Sequence, residues 1–435
     1  MNVFKRLLGG DSTLILATLG IICSSVFLLD TAIVSGDGGV QHDFAYRQVA
    51  FAIIGLGIAF GVSRVPIQTW QQYWPHALAL AVAGVVAVRF VGTVVNGSRR
   101  WLDLGPVSLQ PSEFGKVLAL IAICGFLASR AREIRSPRVF WSALGMLAIP
   151  AGVVFIQPDF GTAQVYGYLA LGVLFFAGAR WTHFAILGGG IAVLSVVILA
   201  VLPAVGLTVL HDYQVKRLTG FLDPEADAQG SNYQTIQAKI AIGSGQLAGR
   251  PKGEASQVQQ GFLPEPQTDF IFATLVERYG FLGGAIVLAM YMVLLSRILA
   301  AVGTAASFYG RLIAGGVAVL FFCQVFVNVG MVVGVLPVTG VPLPMFSYGG
   351  SALWTNMAAL GLVAAVLREA ERPGARYQRR TGRPVGGFGS LRSTSGDRSG
   401  SGRRAPGRGM SPGVTGSPLV GGTARRPRKR RPTSS

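Results

Sequence analysis

The sequence predicts an all-α polytopic membrane protein with about ten transmembrane helices, each of roughly 20 residues. Hydrophobic residues make up 51% of the 435 and charged residues only 13%, a balance too apolar for an ordinary soluble surface. Mean hydropathy is +0.51. Apolar runs long enough to span a bilayer recur along most of the chain.

The net charge of +19 would suggest a nucleic-acid ligand in a soluble protein, but it is unevenly placed. From Arg368 onward there are 17 basic and 3 acidic residues, so the basicity belongs to a tail and no nucleic-acid partner is expected. The cysteines, Cys23, Cys124 and Cys323, all lie in apolar runs. That excludes a disulfide framework and a thiolate metal site.

In chain order, Lys5 and Arg6 precede an apolar run from Ser12 to Leu29. The run is long and lacks a good cleavage signal, so it is read as a retained span. Further spans are expected at Val49–Gly61 (extended at both ends), Ala77–Val91, Glu113–Ser129, Val139–Ile156, Ala163–Ala179, His183–Val201, Phe281–Ile298, Leu312–Met331 and Ser351–Leu367. Gly57, Gly61 and the Gly283–Gly284 pair are expected to let helices approach closely. The spans and their loops form one domain, residues 1–367. After it comes a Gly-, Ser-, Pro- and Arg-rich tail, 368–435, with no apolar periodicity and no means of forming a core. The Arg425–Arg431 cluster suits anionic membrane lipids, or serves as a topology anchor.

Short loops set the orientation. Arg130, Arg132, Arg135 and Arg138 fall on the same side as Lys5, Arg6, Arg64, Arg180, Arg311 and the tail, which places both termini in the cytoplasm. The opposite side receives residues 92–112, a large extracytoplasmic loop of about 203–269 between helices 7 and 8, and residues 336–350.

Polar signals gather on that side. Glu113 and Lys116 stand three apart at the start of a span and share a helical face. Read structurally, they are an interfacial ion pair with Lys116 snorkelling outward. In QPDFGTA, Asp159 follows a span and suits a helix cap. In GFLPEPQTDFIFATLVERYG, Asp269 stands at the threshold of an apolar run, where an ionised carboxylate is costly. The prolines of LPVTGVPLPMFSYGGS forbid a continuous helix, and irregular backbone at that depth implies a polar cavity. Ser231–Leu247 places Tyr233, Ile236 and Ile240 at helical spacing, an amphipathic helix expected at the interface. Arg250 and Lys252 follow in flexible, glycine-containing backbone. The four histidines lack ligand spacing, and no nucleotide-binding loop is present.

The stretches NGSRRWLDLGPVSLQPSEFGK, QPDFGTA, NYQTIQAKIAIGSG, GFLPEPQTDFIFATLVERYG and GVLPVTGVPLPMFSYGGSAL, in this order from about Asn96 to Leu353, resemble the SEDS family of membrane glycosyltransferases. Val341-Pro342-Leu343-Pro344 resembles the elongation branch, RodA, more than the division branch, FtsW. The resemblance implies polymerisation of lipid II into glycan strands by an inverting displacement on the extracytoplasmic face of the bacterial cell membrane. Asp269 matches the family's essential aspartate. It would act as the base or as the ligand of a divalent cation, Mg or Mn, with no organic cofactor.

The implied substrate-binding set is Lys116, Arg217, Arg250 and Lys252 on the diphosphate, with Glu113 and Asp159 orienting Lys116 or holding a metal. Glu277 is a further polar neighbour or a helix-packing partner. The chain departs from the usual wording at Pro266-Gln267, where a basic residue and a histidine are common, so a titrating histidine has no counterpart there. The implied partners are a class B penicillin-binding protein transpeptidase and the wider elongation machinery. Two other classes stay open at this point, a lipid II flippase or transporter and a non-catalytic scaffold. A transporter calls for polar groups along a path and often repeat symmetry, and neither is visible here.

Overall fold

A computed structural model describes residues 11–32, 42–95, 98–103, 105, 107–204, 233–251, 257, 262–263 and 265–371. Arg217, Lys252 and the tail beyond 371 lie outside the described residues.

Twelve helices are labelled here in chain order: α1 (Ser12–Ala32), α2 (His42–Arg64), α3 (Ile67–Gln72), α4 (Trp74–Val91), α5 (Pro111–Ser129), α6 (Pro137–Ile156), α7 (Phe160–Ala177), α8 (Trp181–Ala204), α9 (Tyr233–Gly245), α10 (Ile271–Thr304), α11 (Phe308–Val333) and α12 (Gly350–Glu371). All but α3 and α9 are long and apolar enough to cross a membrane, which makes ten spans among the described residues. Each coincides with an expected run. The last continues past Leu367 to Glu371, where Arg368 donates to the Ser63 carbonyl at 3.2 Å and Ser307 to the Glu369 carboxylate at 2.9 Å.

The bundle is organised around α5 and α12, whose most apolar windows are both 78% buried. Around them α2 packs on α12, α4 on α5, and α11 on α7, α5, α10 and α12. The close crossings run through glycines other than the expected ones. A Cβ at Gly316 would stand 2.2 Å from Leu120, and one at Gly55 2.8 Å from Leu353, whereas Gly57 and Gly61 face open space. Gly283 and Gly284 meet Tyr279 and Val276 of their own helix, so they serve a bend rather than a neighbouring helix. The bend is at Gly280, whose backbone (φ 67°, ψ −169°) is open to glycine alone and breaks α10 into two helical stretches. At the other extreme stands α8, whose apolar window contains no fully buried residue. Only its His183 is buried, 5.1 Å from the Phe140 ring.

An element not anticipated is a three-stranded antiparallel sheet, β1 (Thr93–Val95), β2 (Ser98–Asp103) and β3 (Ser108–Leu109), in the order β1-β2-β3. Thr93 pairs with Trp101 and Leu102 with Leu109. The expected amphipathic helix forms as α9, but its face is reversed. It buries Ala238, Ala241 and Gly245 and leaves Ile240 exposed. The reason is close approach to α10: a Cβ at Gly245 would lie 2.0 Å from the Val276 carbonyl oxygen, so only small residues fit the contact.

Candidate active site

Four helices, α5, α7, α10 and α12, begin at the same end of the bundle, and residues at or beside their N-termini line one cavity of about 470 Å³. Glu113 comes from α5, Asp159 and Thr162 from the start of α7, Asp269 from the approach to α10, and Ser351 from α12. Helix N-termini carry partial positive charge and free N–H groups, so their convergence favours anions, whether carboxylates of the protein or phosphates of a ligand. The rim is completed by Arg100 and Trp101 of β2, Gln234 of α9, Glu265, and Val338, Thr339, Gly340 and Pro342 between α11 and α12.

The backbone leading to Asp269 is held at every step. The Pro266 carbonyl accepts from Thr274 Oγ1 (3.0 Å), Gln267 from the Tyr348 N–H (2.9 Å), Thr268 from Ser347 Oγ (2.7 Å) and Asp269 from Asn328 Nδ2 (2.9 Å). The proline-rich segment that supplies two of these donors is itself anchored. Ser25 Oγ donates to the Phe346 carbonyl and Tyr291 to that of Pro344, each at 2.5 Å. This answers how irregular backbone survives at that depth, since other helices satisfy its polar groups.

The Asp269 carboxylate is treated oppositely, for no hydrogen-bond donor reaches it among the described residues. Burial, chiefly, and the neighbouring carboxylates of Glu265 and Asp159 raise its pKa from the usual 3.8 to about 6. Gly340 (φ 72°) comes close to that carboxylate, since a Cβ there would stand 3.4 Å from Asp269 Oδ2, in van der Waals contact.

Glu113 and Asp159 both reach the cavity, but with their side chains engaged. Asp159 caps α7 through the Thr162 N–H (3.1 Å) and accepts from Gln110 Nε2 (3.1 Å), so the capping and cavity readings hold together. Glu113 Oε1 accepts from Lys116 Nζ at 2.7 Å, and both residues are almost fully buried. Lys116 therefore does not snorkel outward. At 1% exposure it lies behind Glu113 and does not line the cavity.

Arg250 is also elsewhere. Its Nε donates to the Ser244 carbonyl (2.9 Å) and its N–H to that of Glu277 (3.0 Å), beside the Gly280 break. Glu277 is fully buried there and accepts from the Gln257 N–H (2.9 Å), away from the cavity lining. The cation that does line the cavity is Arg100, fixed by bonds to the Gln157 (2.7 Å) and Pro158 (2.6 Å) carbonyls. With Glu265 it is the main lining residue not assigned from the sequence; a basic pair before a tryptophan and an acid between two prolines were the signals available. Among the described residues no three His, Cys, Asp or Glu side chains gather into a metal cage. A hard cation on Asp269 fits only with substrate and water oxygens completing its shell.

Fold and cavity define a class, a multi-pass membrane protein with a polar, acid-lined chamber at one end of its bundle. The chain belongs to the FtsW/RodA/SpoVE family, whose model, described as cell cycle protein, matches residues 11–372. It is 37% identical over 358 residues to the peptidoglycan glycosyltransferase MrdB of Escherichia coli, covering 82% of this chain and 93% of that one. Stage V sporulation protein E of Bacillus subtilis is 37% identical over 361 residues, with 82% and 95% covered. Among solved structures, a chain from work on the coordination of polymerization and crosslinking by a peptidoglycan synthase complex superposes with a TM-score of 0.70 at 31% identity, covering 83% of this chain and 98% of that one. The rod shape determining protein RodA of Thermus thermophilus superposes at 0.59 with 26% identity and the same coverage.

Proposed function

We propose that this protein is a peptidoglycan glycosyltransferase that polymerises lipid II during cell-wall elongation, with its cavity on the extracytoplasmic face of the cell membrane and both termini in the cytoplasm. The observation that carries the mechanism is the Asp269 carboxylate, without a hydrogen-bond donor among the described residues, in a cavity of about 470 Å³, and basic enough to take a proton near neutrality. Asp269 accepts the proton of the acceptor sugar's hydroxyl as that oxygen attacks the anomeric carbon of the donor. The bond to the diphosphate breaks on the opposite side, which inverts the configuration. Diphosphate leaves as a stable anion, so no protein acid is needed on the leaving oxygen, unlike in a two-carboxylate hydrolase.

Arg100 and the surrounding helix N-termini offer the leaving charge its contacts in the cavity. A divalent cation, where bound, would be held by Asp269 and would supply Lewis acidity. The working partner is a class B penicillin-binding protein transpeptidase within the elongation machinery; the likeness to a chain of a peptidoglycan synthase complex supports that pairing. The test is polymerisation of lipid II by the purified protein with its partner. Wild type is expected to yield glycan strands and Asp269→Ala none, and full polymerisation by Asp269→Ala overturns the assignment.

A further inference from the structure

Asn328 lies outside the cavity lining, on α11, and is completely buried. Its amide donates one N–H to the Asp269 carbonyl (2.9 Å) and the other to the Val341 carbonyl (2.8 Å). Val341 follows Gly340, which lies beside the Asp269 carboxylate in the cavity lining. One side chain therefore ties together two walls that are far apart in sequence, the approach to α10 and the segment between α11 and α12. The acceptor half of the same amide is idle, since Oδ1 is buried with no partner among the described residues. A polar residue serving only to fill the core gains nothing from such an arrangement. One whose two donors set a distance needs only its nitrogen.

We propose that Asn328 is a positioning residue for Asp269, its amide holding the carboxylate at the right separation from the Gly340–Val341 wall. Among the described residues the Asp269 side chain has no hydrogen-bond partner, so its location is inherited from its backbone. The Pro266 carbonyl is held by Thr274 of α10, and those of Gln267 and Thr268 by Tyr348 and Ser347 of the segment between α11 and α12; the Asp269 carbonyl alone is held from α11, by a side chain that also grips Val341.

The activity arm of the test rests on the glycosyltransferase reading, and a second arm does not. Asn328→Leu keeps the branched shape, with somewhat greater bulk, and removes both donors. Turnover in lipid II polymerisation is expected to fall roughly 10- to 100-fold, as for a misplacement near 1 Å, with KM for lipid II almost unchanged. In an Asp269→Asn background the same substitution should cost nothing further, because both act through one carboxylate.

The second arm is the rate at which a water-soluble carbodiimide labels Asp269 at one fixed pH, read by mass spectrometry. It is expected to change in Asn328→Leu whether or not lipid II is the substrate. If Asn328→Leu is not recovered folded, Asn328→Ser decides by the same readouts. Wild-type turnover together with wild-type labelling overturns the proposal, as does a rise in KM with unchanged turnover. Failure of the wild type to polymerise lipid II counts against the glycosyltransferase reading alone and leaves labelling to judge Asn328.

Discussion

Two acids line the same cavity and are held in opposite ways. At Glu113 one carboxylate oxygen is paired in a buried contact with Lys116 one turn along its helix, the other having no hydrogen-bond partner among the described residues. At Asp269 the backbone is fastened carbonyl by carbonyl while the carboxylate is left without a donor. The first arrangement neutralises a charge and fixes a wall. The second withholds the stabilisation that would make an acid inert, which is what a general base requires.

The contrast is broken most severely at Asp269. Asp269→Asn is expected to lower turnover by about 10²- to 10⁴-fold, the range of a lost general base, in the lipid II assay. In wild type the required ionised form is lost as pH falls through about 6, so the rate should decline on the acid side there, a limb absent from the variant's residual activity. Next comes Lys116→Met, which leaves Glu113 buried without its cation. A loss of about 3–5 kcal/mol is expected, read as a lower unfolding midpoint in detergent.

Gly161→Ala places a Cβ 2.1 Å from the Thr339 carbonyl oxygen and should cost about 1–3 kcal/mol by the same measurement. Arg100→Ala should raise KM for lipid II about tenfold with little change in folding, as loss of one charge-assisted contact would. The smallest effect sharpens the comparison most. The folded pKa of Asp269, about 6, exceeds its ordinary 3.8, so the native state binds the extra proton between those values. Its stability therefore falls as pH rises through that window. Asp269→Asn should be the more stable protein at pH 7, by about 1 kcal/mol after screening by cavity water, where Glu113→Gln should not.

Much of this was legible in the sequence, for identifiable reasons. All ten spans were, because a long apolar run has few alternatives. The gathering of Glu113, Asp159 and Asp269 was also legible, because alternating spans return to one side and each acid stood at a span's end. Which glycines mediate contacts was not: protein interior and lipid are equally apolar, so hydropathy is silent on whether Gly55 or Gly57 faces a neighbour. The same silence hid the face α9 buries. Lys116 and Arg250 were expected at the substrate because a cation near an acid signals charge but not direction. Lys116 instead turns inward to Glu113, and Arg250 bonds the backbone beside the Gly280 break. The small sheet lay in short strands around Asn96-Gly97, a hairpin signal overlooked among stronger apolar patterns.

The isolation of α8 has a consequence for the membrane around it. At about 1.5 Å per residue its 24 residues extend about 36 Å, longer than a hydrocarbon layer of about 30 Å. Near one end it is clasped through His183 and Phe184, and along its apolar window no residue is fully buried. A helix in that position relieves its excess length by tilting. The seventh span therefore has length to spare in a bilayer of ordinary thickness, and its lean is governed by the protein contacts near its start together with the lipid along the rest of it.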